Sequence, residues 1–502
     1  MLSRVTKSTG VIVAILAAAF FVIAAQRLRT FDQVPNRDVL LYGVIGHELL
    51  NGRQLYSDLW DHKPPLIYVS YAFAETLVGF GEQQLYLLAV VLACWTAAAI
   101  AWCGARVGAA SAAWALSLWV LTWNSASLEG NQPNAELFMN ALLITAFGVV
   151  VTASQLTRQR AVVFGALVAL VTLFKPYGLI YALLPLVLLT DRQWMIKRNL
   201  LAIPVAIAAV WIPVVWYFVL TNRTAIFVET LWGFNRRYAG STPLNLVGSV
   251  LLSLTPLAYI VLVPLIAIVA IVGWSQVRRG GLDPRPWRLL LAYIAITHVA
   301  VALPGRFFAH YYQLWLPPLI VGAAWSVTTF RRPVLLMVGS VCLLGLQIHD
   351  LRLDPDEWGR RANVLPESAL EARRLGAELR RTAECEFGLN IGSEVGIYFY
   401  GHFRPAAGVF YQSHVDNSQL GGELLERIRH SDRYRPCFLT VGTQTTAGNE
   451  QLKQVVPELT SSLGLKRNET LSDPLFDVYV RRSESAVMMH RGMVQYASLG
   501  DR

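Results

Sequence analysis

The chain has 502 residues, of which 54% are apolar and only 15% are Asp, Glu, Lys or Arg. An average soluble protein has about 25% charged residues, so this composition excludes a water-soluble enzyme, and the apolar content excludes a disordered chain. Five cysteines are too few for a disulfide scaffold, whereas 15 Trp and 19 Tyr suit a chain with extensive surface at a bilayer interface. We therefore predict a polytopic α-helical membrane protein.

The net charge of +10 is unevenly distributed along the chain. Residues 1–349 carry 24 Lys and Arg against 12 Asp and Glu, whereas residues 350–502 carry 19 against 21. The basic excess belongs to the apolar part, where Lys and Arg set membrane topology, and a nucleic-acid-binding protein would need it on a soluble surface. We predict a transmembrane domain at 1–349 with a first extracytoplasmic loop at 27–83, a soluble α/β domain at 350–502, and no nucleic-acid partner.

A membrane-spanning helix needs about 20 mostly apolar residues. We identify eleven such segments, at 10–26, 84–104, 107–123, 135–154, 160–174, 177–190, 199–220, 246–274, 288–304, 313–329 and 333–348. The first also has the features of a cleaved signal peptide, because Arg4 and Lys7 precede an apolar run that ends in Ala24-Ala25. Cleavage would not change the side of the membrane that the later segments face.

The charges of the connecting segments predict the orientation in the membrane. When the N-terminus is placed in the cytoplasm, the inside loops collect Lys and Arg, whereas the outside loop at 124–134 has neither. This distribution follows the positive-inside rule. Eleven spans then place residues 350–502 outside the cytoplasm. We predict a multi-pass protein of a bacterial-type inner membrane, with a cytoplasmic N-terminus and an extracytoplasmic C-terminal domain.

The outside segments carry ionisable residues that we expect to gather on one membrane face. They include Asp38, Asp58, Asp61, His62, Lys63, Glu129, Glu136, Lys175, Arg306 and His310. Solvated loops would account for the exposed members. Lys175, however, lies inside the apolar run 173–177, and an ionisable residue within a membrane segment is costly and therefore points to function.

The first outside loop has a helical pattern with two notable ionisable residues. Segment 38–50 has the apolar spacing of a helix and ends at Asn51-Gly52, a helix-stop signal. Asp38 begins this helix, where a carboxylate suits the exposed backbone N–H groups, so an N-cap role and a chemical role both stay open. A second amphipathic helix runs to about Val78. Lys63 precedes it. A functional cation and an interfacial lysine that extends its ammonium to water both stay open for this residue.

The C-terminal part has the alternation of a small layered sheet. We predict amphipathic helices at 366–383 and 418–431, and strands at 394–400, 437–442 and 476–481. Cys385 and Cys437 precede two strand-like segments, at 387–391 and 438–441. If these strands are parallel neighbours, the two thiols lie at the same end of the sheet. A disulfide and two free thiols both stay open, and the sequence slightly favours the free thiols.

Four motifs resemble those of a known superfamily. They are RDVLLYGVIGHELLNGRQLYSDLWDHKPPLIY at 37–68, NQPNAELF at 131–138, FKPYGL at 174–179 and GRFFAHYYQ at 305–313. The first looks like the first extracytoplasmic loop of the GT-C membrane glycosyltransferases related to protein O-mannosyltransferases and to the aminoarabinose transferases of lipid A. The other three continue the resemblance in the same order. The resemblance covers residues 1–349 and implies the GT-C fold, with this part of the chain as the catalytic domain.

The resemblance implies an enzyme that transfers a sugar from a polyprenyl-phosphate donor to a hydroxyl of a lipid, glycan or protein acceptor. The transfer takes place on the extracytoplasmic face, with inversion. By resemblance, Asp38 is the catalytic acidic residue of the first loop. Many relatives have a second acid at the next position, where this chain has Val39, so a paired-carboxylate role is in doubt. The candidates for supporting Asp38 or binding the acceptor are Tyr42, Asp58, Asp61, His62 and Glu136.

Sugar transfer from a lipid phosphate makes two demands that these residue types meet. A carboxylate within hydrogen-bond reach must accept the proton of the attacking hydroxyl, and a single base opposite the leaving group gives inversion. Fixed cations must stabilise the leaving phosphate, with Arg as a bidentate clamp and Lys as a point charge. The candidates for the donor phosphate site are Lys63, Lys175, Arg306 and His310.

The sequence leaves open whether the protein uses a divalent metal ion as a cofactor. Asp58, Asp61 and His62 offer oxygen and nitrogen donors, whereas no Cys and His spacing indicates structural zinc.

The main alternative function is a secondary transporter of a polar or anionic solute. Transporters have ionisable residues near mid-membrane and inverted repeats. Here no repeat is visible, and the only obvious mid-span ionisable residue, His298, is expected to be a packed core histidine. A membrane assembly protein that works through its C-terminal part would leave the four motifs unexplained.

Overall fold

The computed structural model describes residues 2–188, 197–238, 243–254, 261–279, 284–330, 333–363, 366–382, 385–411, 434–443 and 450–481. The chain divides into two compact units. The first comprises Met1–Leu49 and His62–Val364, and the second comprises Leu50–Asp61 and Leu365–Arg502. The assignment of 1–349 as a catalytic membrane domain and of 350–502 as an extracytoplasmic domain stays a prediction.

The first unit is built almost entirely from helices. Its α-helices are α1 (Leu2–Arg29), α2 (Arg37–Leu50), α3 (Leu66–Val78), α4 (Glu82–Ala105), α5 (Ala109–Thr122), α6 (Ala135–Val151), α7 (Arg158–Thr172), α8 (Ala202–Leu220), α9 (Thr224–Val228), α10 (Asn235–Tyr238), α11 (Pro243–Leu252), α12 (Leu262–Arg279), α13 (Pro284–Ala302), α14 (Leu316–Phe330), α15 (Pro333–Arg352) and α16 (Pro355–Ala362). Between them lie the 3₁₀ helices Ala126–Leu128, Pro176–Leu188, Lys197–Leu201 and Ala309–Trp315, and the π-helix Glu229–Phe234.

Most helices pack against their neighbours in the chain, and α14 packs back against α4. Helix α4 contacts α1, α5 and α6, α7 contacts α6 and α8, and α14 contacts α5 and α12. Glycines let two of these pairs approach closely: a Cβ on Gly104 would lie 2.9 Å from the Cα of Ala112, and one on Gly165 would lie 2.6 Å from the carbonyl oxygen of Ile203. Small residues at helix contacts are typical of membrane proteins.

Several helices of the first unit present apolar side chains outward. In the helical stretch Arg198–Leu220, only 17% of the most apolar 18-residue segment is buried by protein. Val205, Ile212 and Leu220 are among its exposed side chains. A helix that is apolar on all sides yet not covered by protein suits lipid. Within the described residues, this stretch and Glu82–Ala105 are long and apolar enough to cross a membrane, and the shorter apolar helices are Leu66–Val78, Ala109–Thr122, Ala135–Val151 and Pro176–Val187.

Two of the predicted spans differ from the helices observed. Residues 246–274 were predicted as one span but hold parts of two helices, α11 and α12. The segment at 177–190 is occupied by the 3₁₀ helix Pro176–Leu188, which contains Pro185. Proline lacks a backbone N–H and clashes with the preceding turn, so it disfavours a continuous α-helix here. The number of spans stays a prediction.

The second unit contains a mixed five-stranded sheet. Its elements are α17 (Pro366–Thr382), β1 (Phe387–Ile391), α18 (Gly396–Gly401), β2 (Arg404–Pro405), β3 (Phe438–Gly442), α19 (Glu450–Leu463), β4 (Leu465–Arg467) and β5 (Phe476–Arg481). The strand order is β2-β1-β3-β5-β4, with β1 parallel to β2 and β3, and β5 antiparallel to β3 and β4. Leu389, Leu439 and Leu459 lie in its apolar core.

The predicted elements of the C-terminal part have mixed outcomes. The strands at 437–442 and 476–481 and the helix at 366–383 are confirmed by β3, β5 and α17. The strand at 394–400 is wrong, because Gly396–Gly401 is a helix. A short apolar run does not distinguish a buried strand from a buried helix. The helix at 418–431 lies outside the described residues.

Cys385 and Cys437 form a disulfide, with their Cα atoms 6.2 Å apart. β1 and β3 are parallel neighbours, which is the arrangement that puts both thiols at the same end of the sheet. The slight preference for free thiols was therefore wrong. It failed because the pairing of two distant strands is not visible in a single sequence.

A short piece of the first loop belongs to the second unit. Arg53 is buried there, and its guanidinium donates to the carbonyl oxygen of Pro405 at 2.6 Å and to that of Asp58 at 3.0 Å. The backbone N–H of Trp60 donates to the carbonyl oxygen of Gly408 at 2.6 Å. These bonds attach 50–61 to the end of β2 and to the segment that follows it.

Candidate active site

Asp38 lies in the first turn of α2 but does not cap it. The capping residue is Asn36, whose Oδ1 accepts the backbone N–H of Asp38 at 2.9 Å. The Asp38 carboxylate instead accepts a hydrogen bond from Lys63 Nζ at 3.1 Å and lies 3.5 Å from the hydroxyl of Tyr42. An N-cap role therefore does not explain Asp38.

Lys63 points into the protein rather than toward water. Its side chain is 8% exposed, and its Nζ lies 5.0 Å from the ring centre of Tyr42 as well as against Asp38. The alternative of a snorkelling interfacial lysine is thus wrong. Tyr42 is itself buried, and its ring packs edge-on against Tyr68 and Tyr71. These aromatic contacts fix the hydroxyl of Tyr42 on the side of the carboxylate.

Lys175 forms a buried ion pair with Glu136, in the first turn of α6. The Lys175 Nζ lies 4.0 Å from the ring centre of Tyr311 and 5.7 Å from that of Tyr177. The ammonium thus has an anion and two aromatic rings around it, which compensates for its burial. This arrangement joins three of the four sequence motifs.

His310 is buried beside Glu129, with Nδ1 3.2 Å from the Oε2 of Glu129. Burial lowers the pKa of His310, but the carboxylates of Glu129 and Glu136 raise it by more, so the pKa lies above its ordinary value. Lys175 opposes this shift. The raised pKa favours the imidazolium form of His310, which is a cation.

These three pairs act on one another. Lys175 interacts electrostatically with Lys63 and Asp38 as well as with its partner, and His310 interacts with Glu136 and Lys175. We call the three pairs the acid–cation cluster: Asp38–Lys63, Glu136–Lys175 and Glu129–His310. It brings together residues from four separate connecting segments of the first unit.

Arg306 and His62 lie beside members of this cluster in the chain. Arg306 is exposed and precedes His310 by four residues, after Gly305, whose φ of 62° turns the chain. His62 precedes Lys63, and its carbonyl oxygen accepts from Asn235 Nδ2 at 2.9 Å.

Asp58 and Asp61 lie in the second unit. The Asp58 carboxylate accepts the backbone N–H of Gln54 at 2.9 Å and so closes a turn. Asp61 is fully buried, and together with burial its charge raises the pKa of Tyr56. Among the described residues, no group of three or more His, Cys, Asp or Glu side chains is placed to hold a metal ion. A divalent metal ion as cofactor stays a prediction.

His298 has the role expected of a packed histidine. Its Nε2 lies 3.1 Å from the carbonyl oxygen of Val250 and 3.4 Å from Ser253 Oγ, and its ring packs edge-on against Trp315.

The fold is similar to those of solved membrane enzymes. ArnT from Cupriavidus metallidurans bound to undecaprenyl phosphate matches with a TM-score of 0.65 and 13% identity, over 95% of this chain and 98% of that one. The oligosaccharyltransferase of Archaeoglobus fulgidus in the apo form matches with a TM-score of 0.53 and 13% identity, over 86% and 69%. The chain has the GT-C fold. The fold that the four motifs imply is thereby confirmed.

Another structure with the GT-C fold is similar over most of this chain. The archaeal oligosaccharyltransferase AglB from Archaeoglobus fulgidus, in complex with an inhibitory peptide and a dolichol-phosphate, matches with a TM-score of 0.52 and 11% identity, over 94% and 74%. No protein-family model and no curated protein matches the sequence.

Two residues that connect the cluster were not assigned to the site from the sequence. Glu129 was predicted only as an acid of an outside loop, and Asn36 was not considered. A signal existed for Glu129, because it is the only charged residue in the outside loop at 124–134. Asn36 had the signal of an N-cap, because Asn is a preferred cap and directly precedes the helix. Its bonds to residues about a hundred positions away had no signal in the sequence.

Proposed function

We propose that this chain is a membrane glycosyltransferase that moves a sugar from a polyprenyl-phosphate donor to a hydroxyl of a lipid, glycan or protein acceptor, with inversion. The observation that carries the proposal is the acid–cation cluster, in which a partly exposed carboxylate lies among fixed cations. The GT-C fold supports it. Two solved structures with this fold hold a polyprenyl phosphate, undecaprenyl phosphate in ArnT and dolichol-phosphate in AglB.

Asp38 is the acid of the cluster best placed to meet an acceptor. Its side chain is 24% exposed, whereas Glu136 and Glu129 are 1% and 9% exposed. We assign it as the base that accepts the proton of the attacking hydroxyl. Lys63 and Tyr42 hold the carboxylate in one orientation. A single base on the face opposite the leaving phosphate gives inversion.

The cluster and the chain segment beside it offer four cations. Lys63, Lys175 and His310 each pair with an acid within the cluster. Arg306 is exposed and lies four residues before His310 in the chain. We assign Arg306 as the bidentate clamp on the phosphate oxygens and the other three as the electrostatic surroundings of the leaving group.

The proposed setting is the extracytoplasmic face of a bacterial-type inner membrane, with the N-terminus in the cytoplasm. The apolar, outward-facing helices of the first unit support a membrane location, and the distribution of Lys and Arg supports the orientation. A polyprenyl-phosphate donor would then enter from the same leaflet as the acceptor.

The direct test is transfer by the purified protein in lipid nanodiscs. A panel of radiolabelled polyprenyl-phosphate sugars is incubated with membrane lipids, a periplasmic glycan fraction and a peptide library, and the labelled products are identified. We expect label from at least one donor on one acceptor class. Label that stays on every donor, while the same donors are consumed by a control glycosyltransferase, would contradict the proposal.

A further inference from the structure

The loop between α5 and α6 holds Glu129 in an unusual conformation. Its φ of 52° lies in the left-handed region, which residues other than glycine rarely adopt. Gln313 Nε2 fixes the loop by donating to the carbonyl oxygens of Leu128 and Glu129, at 2.9 and 3.0 Å. This conformation ends the 3₁₀ helix Ala126–Leu128 and, with the bonds from Gln313, fixes the backbone that carries the Glu129 side chain.

One oxygen of Glu129 joins two parts of the cluster. Its Oε2 accepts from Asn36 Nδ2 at 3.0 Å and lies 3.2 Å from His310 Nδ1. Asn36 in turn caps α2 through the backbone N–H of Asp38. The Glu129 carboxylate therefore contacts both the residue that fixes the start of α2 and the histidine of the cluster.

We propose that Glu129 is a positioning residue of the transfer reaction: it keeps His310 protonated as a cation toward the donor phosphate and fixes the helix start that carries Asp38. This inference rests on the proposed function. Glu129 touches neither donor nor acceptor in this role, and it acts through His310 and Asn36.

Among the charged groups that face His310, Glu129 contributes most to keeping the imidazole protonated. These groups are the carboxylates of Glu129 and Glu136 and the ammonium of Lys175, while Phe308 and Tyr311 pack against the ring. Glu129 makes the largest of the contributions that favour the imidazolium, and it adds a hydrogen bond to the ring. Loss of its charge therefore shifts His310 toward the neutral imidazole, which burial favours.

The first test measures the protonation of His310 without any substrate. Histidine-selective ¹³C labelling of the full chain in nanodiscs gives one titration curve per histidine, and the His310 signal is the one missing in His310→Gln. We expect a pKa above the ordinary value in the wild type and a fall of roughly one unit or more in Glu129→Gln, because an opposite charge at this distance shifts a pKa by about 1–3 units. Glu129→Asn, whose side chain tolerates the left-handed region, should show the same fall.

A matched control comes from a second histidine–carboxylate pair in the first unit. His47 Nδ1 lies 2.6 Å from Glu75 Oε1, at the other end of α2 from Asp38. Glu75→Gln should leave the titration of His310 unchanged.

The second test uses the pH profile of transfer. The cationic form of His310 exists below its pKa, so transfer should fall as the pH rises through that pKa. In Glu129→Gln this alkaline limb should move to lower pH by the shift seen in the titration. Activity lost at pH 8 should then be partly restored at pH 6, which a merely misfolded loop would not show.

Three results would overturn the inference. They are a wild-type His310 with a pKa below the ordinary value, an unshifted His310 in the neutral variants, and a defect of Glu129→Gln that is equal at every pH. Failure of the proposed function is distinguishable, because the chain would then transfer no sugar at all while the titration of His310 still responds to Glu129.

Discussion

At the scale of single residues, the neighbours of Asp38 decide between the two roles that the sequence left open, an N-cap and a catalytic carboxylate. Its position at the start of a helix was predicted from the apolar spacing of 38–50 and the stop at Asn51-Gly52. Its role was not predictable, because capping and catalysis place the same residue type at the same position. The cap supplied by Asn36 and the contact with Lys63 separate the two.

Asp38→Asn should reduce transfer by about 10²–10⁴-fold, the usual contribution of a general base, without loss of folding. The amide keeps the shape of the side chain but does not accept the proton. Turnover per folded protein, with folding measured by thermal unfolding, checks this. Asp58→Asn is the control, since Asp58 closes a turn in the second unit, and it should retain transfer. Near-normal turnover by Asp38→Asn would place the base elsewhere.

Arg306→Ala should weaken use of the donor more than use of the acceptor. The exposed guanidinium is the proposed clamp on the donor phosphate. Steady-state kinetics should show the KM for the donor raised about 10-fold or more, as expected for loss of a charge-assisted hydrogen bond of about 1.5–3 kcal/mol. Arg306→Lys keeps the charge without the bidentate geometry, so its KM for the donor should lie between those of the wild type and Arg306→Ala. Equal, small changes in the KM of both substrates would argue against a phosphate clamp.

At the scale of elements, helices with clear apolar periodicity were predictable and short apolar runs were not. Helix α2 ends at Leu50 and α3 at Val78, as the sequence indicated. The sequence predicts a strand at 394–400, where the structure has the helix Gly396–Gly401, because a buried segment is apolar on every side and has no period. The attachment of 50–61 to the second unit was also not predictable, since it depends on bonds to 405–408.

The disulfide between Cys385 and Cys437 should stabilise the second unit. It closes a loop with a sequence separation of 52, and a bridge of this kind contributes about 2–4 kcal/mol. The double variant Cys385→Ser, Cys437→Ser should therefore unfold at lower temperature in its second unit than the wild type. Calorimetry of the full chain measures the change.

Mass spectrometry tests the bridge itself. When the non-reduced protein is denatured and alkylated, Cys94, Cys103 and Cys342 should be modified, and they serve as internal controls. Cys385 and Cys437 should be modified only after reduction. Alkylation of both without reductant would eliminate the bridge.

At the scale of the whole molecule, composition predicted a helical membrane protein, and the resemblance of four motifs to a known superfamily implied the GT-C fold. That fold is confirmed. The three ion pairs were not predictable, because Glu129 and His310 are 181 positions apart, and Glu136 and Lys175 are 39 apart. The sequence predicts these side chains on one membrane face but does not assign their partners.

The orientation of the whole chain gives a further prediction. A reporter that is active only in the cytoplasm should be silent when fused after residue 482, because the loop charges predict that the C-terminal part lies outside. The same reporter fused after residue 192, which the sequence predicts to lie in a basic inside loop, should be active and serves as the positive control. A strong signal from the fusion after residue 482 would overturn the topology and the extracytoplasmic site with it.

If the acid–cation cluster transfers sugar from a polyprenyl phosphate with Asp38 as the base, release of the lipid phosphate and transfer of the sugar both depend on this carboxylate. One labelled donor is followed in nanodiscs, and both the polyprenyl phosphate released and the sugar found on an acceptor are counted. We expect the wild type to release one polyprenyl phosphate for each sugar transferred, and equally folded Asp38→Asn to do both about 10²–10⁴-fold more slowly. Release and transfer at wild-type rates by Asp38→Asn, or no transfer by the wild type from any donor, would show that this cluster does not carry out the reaction.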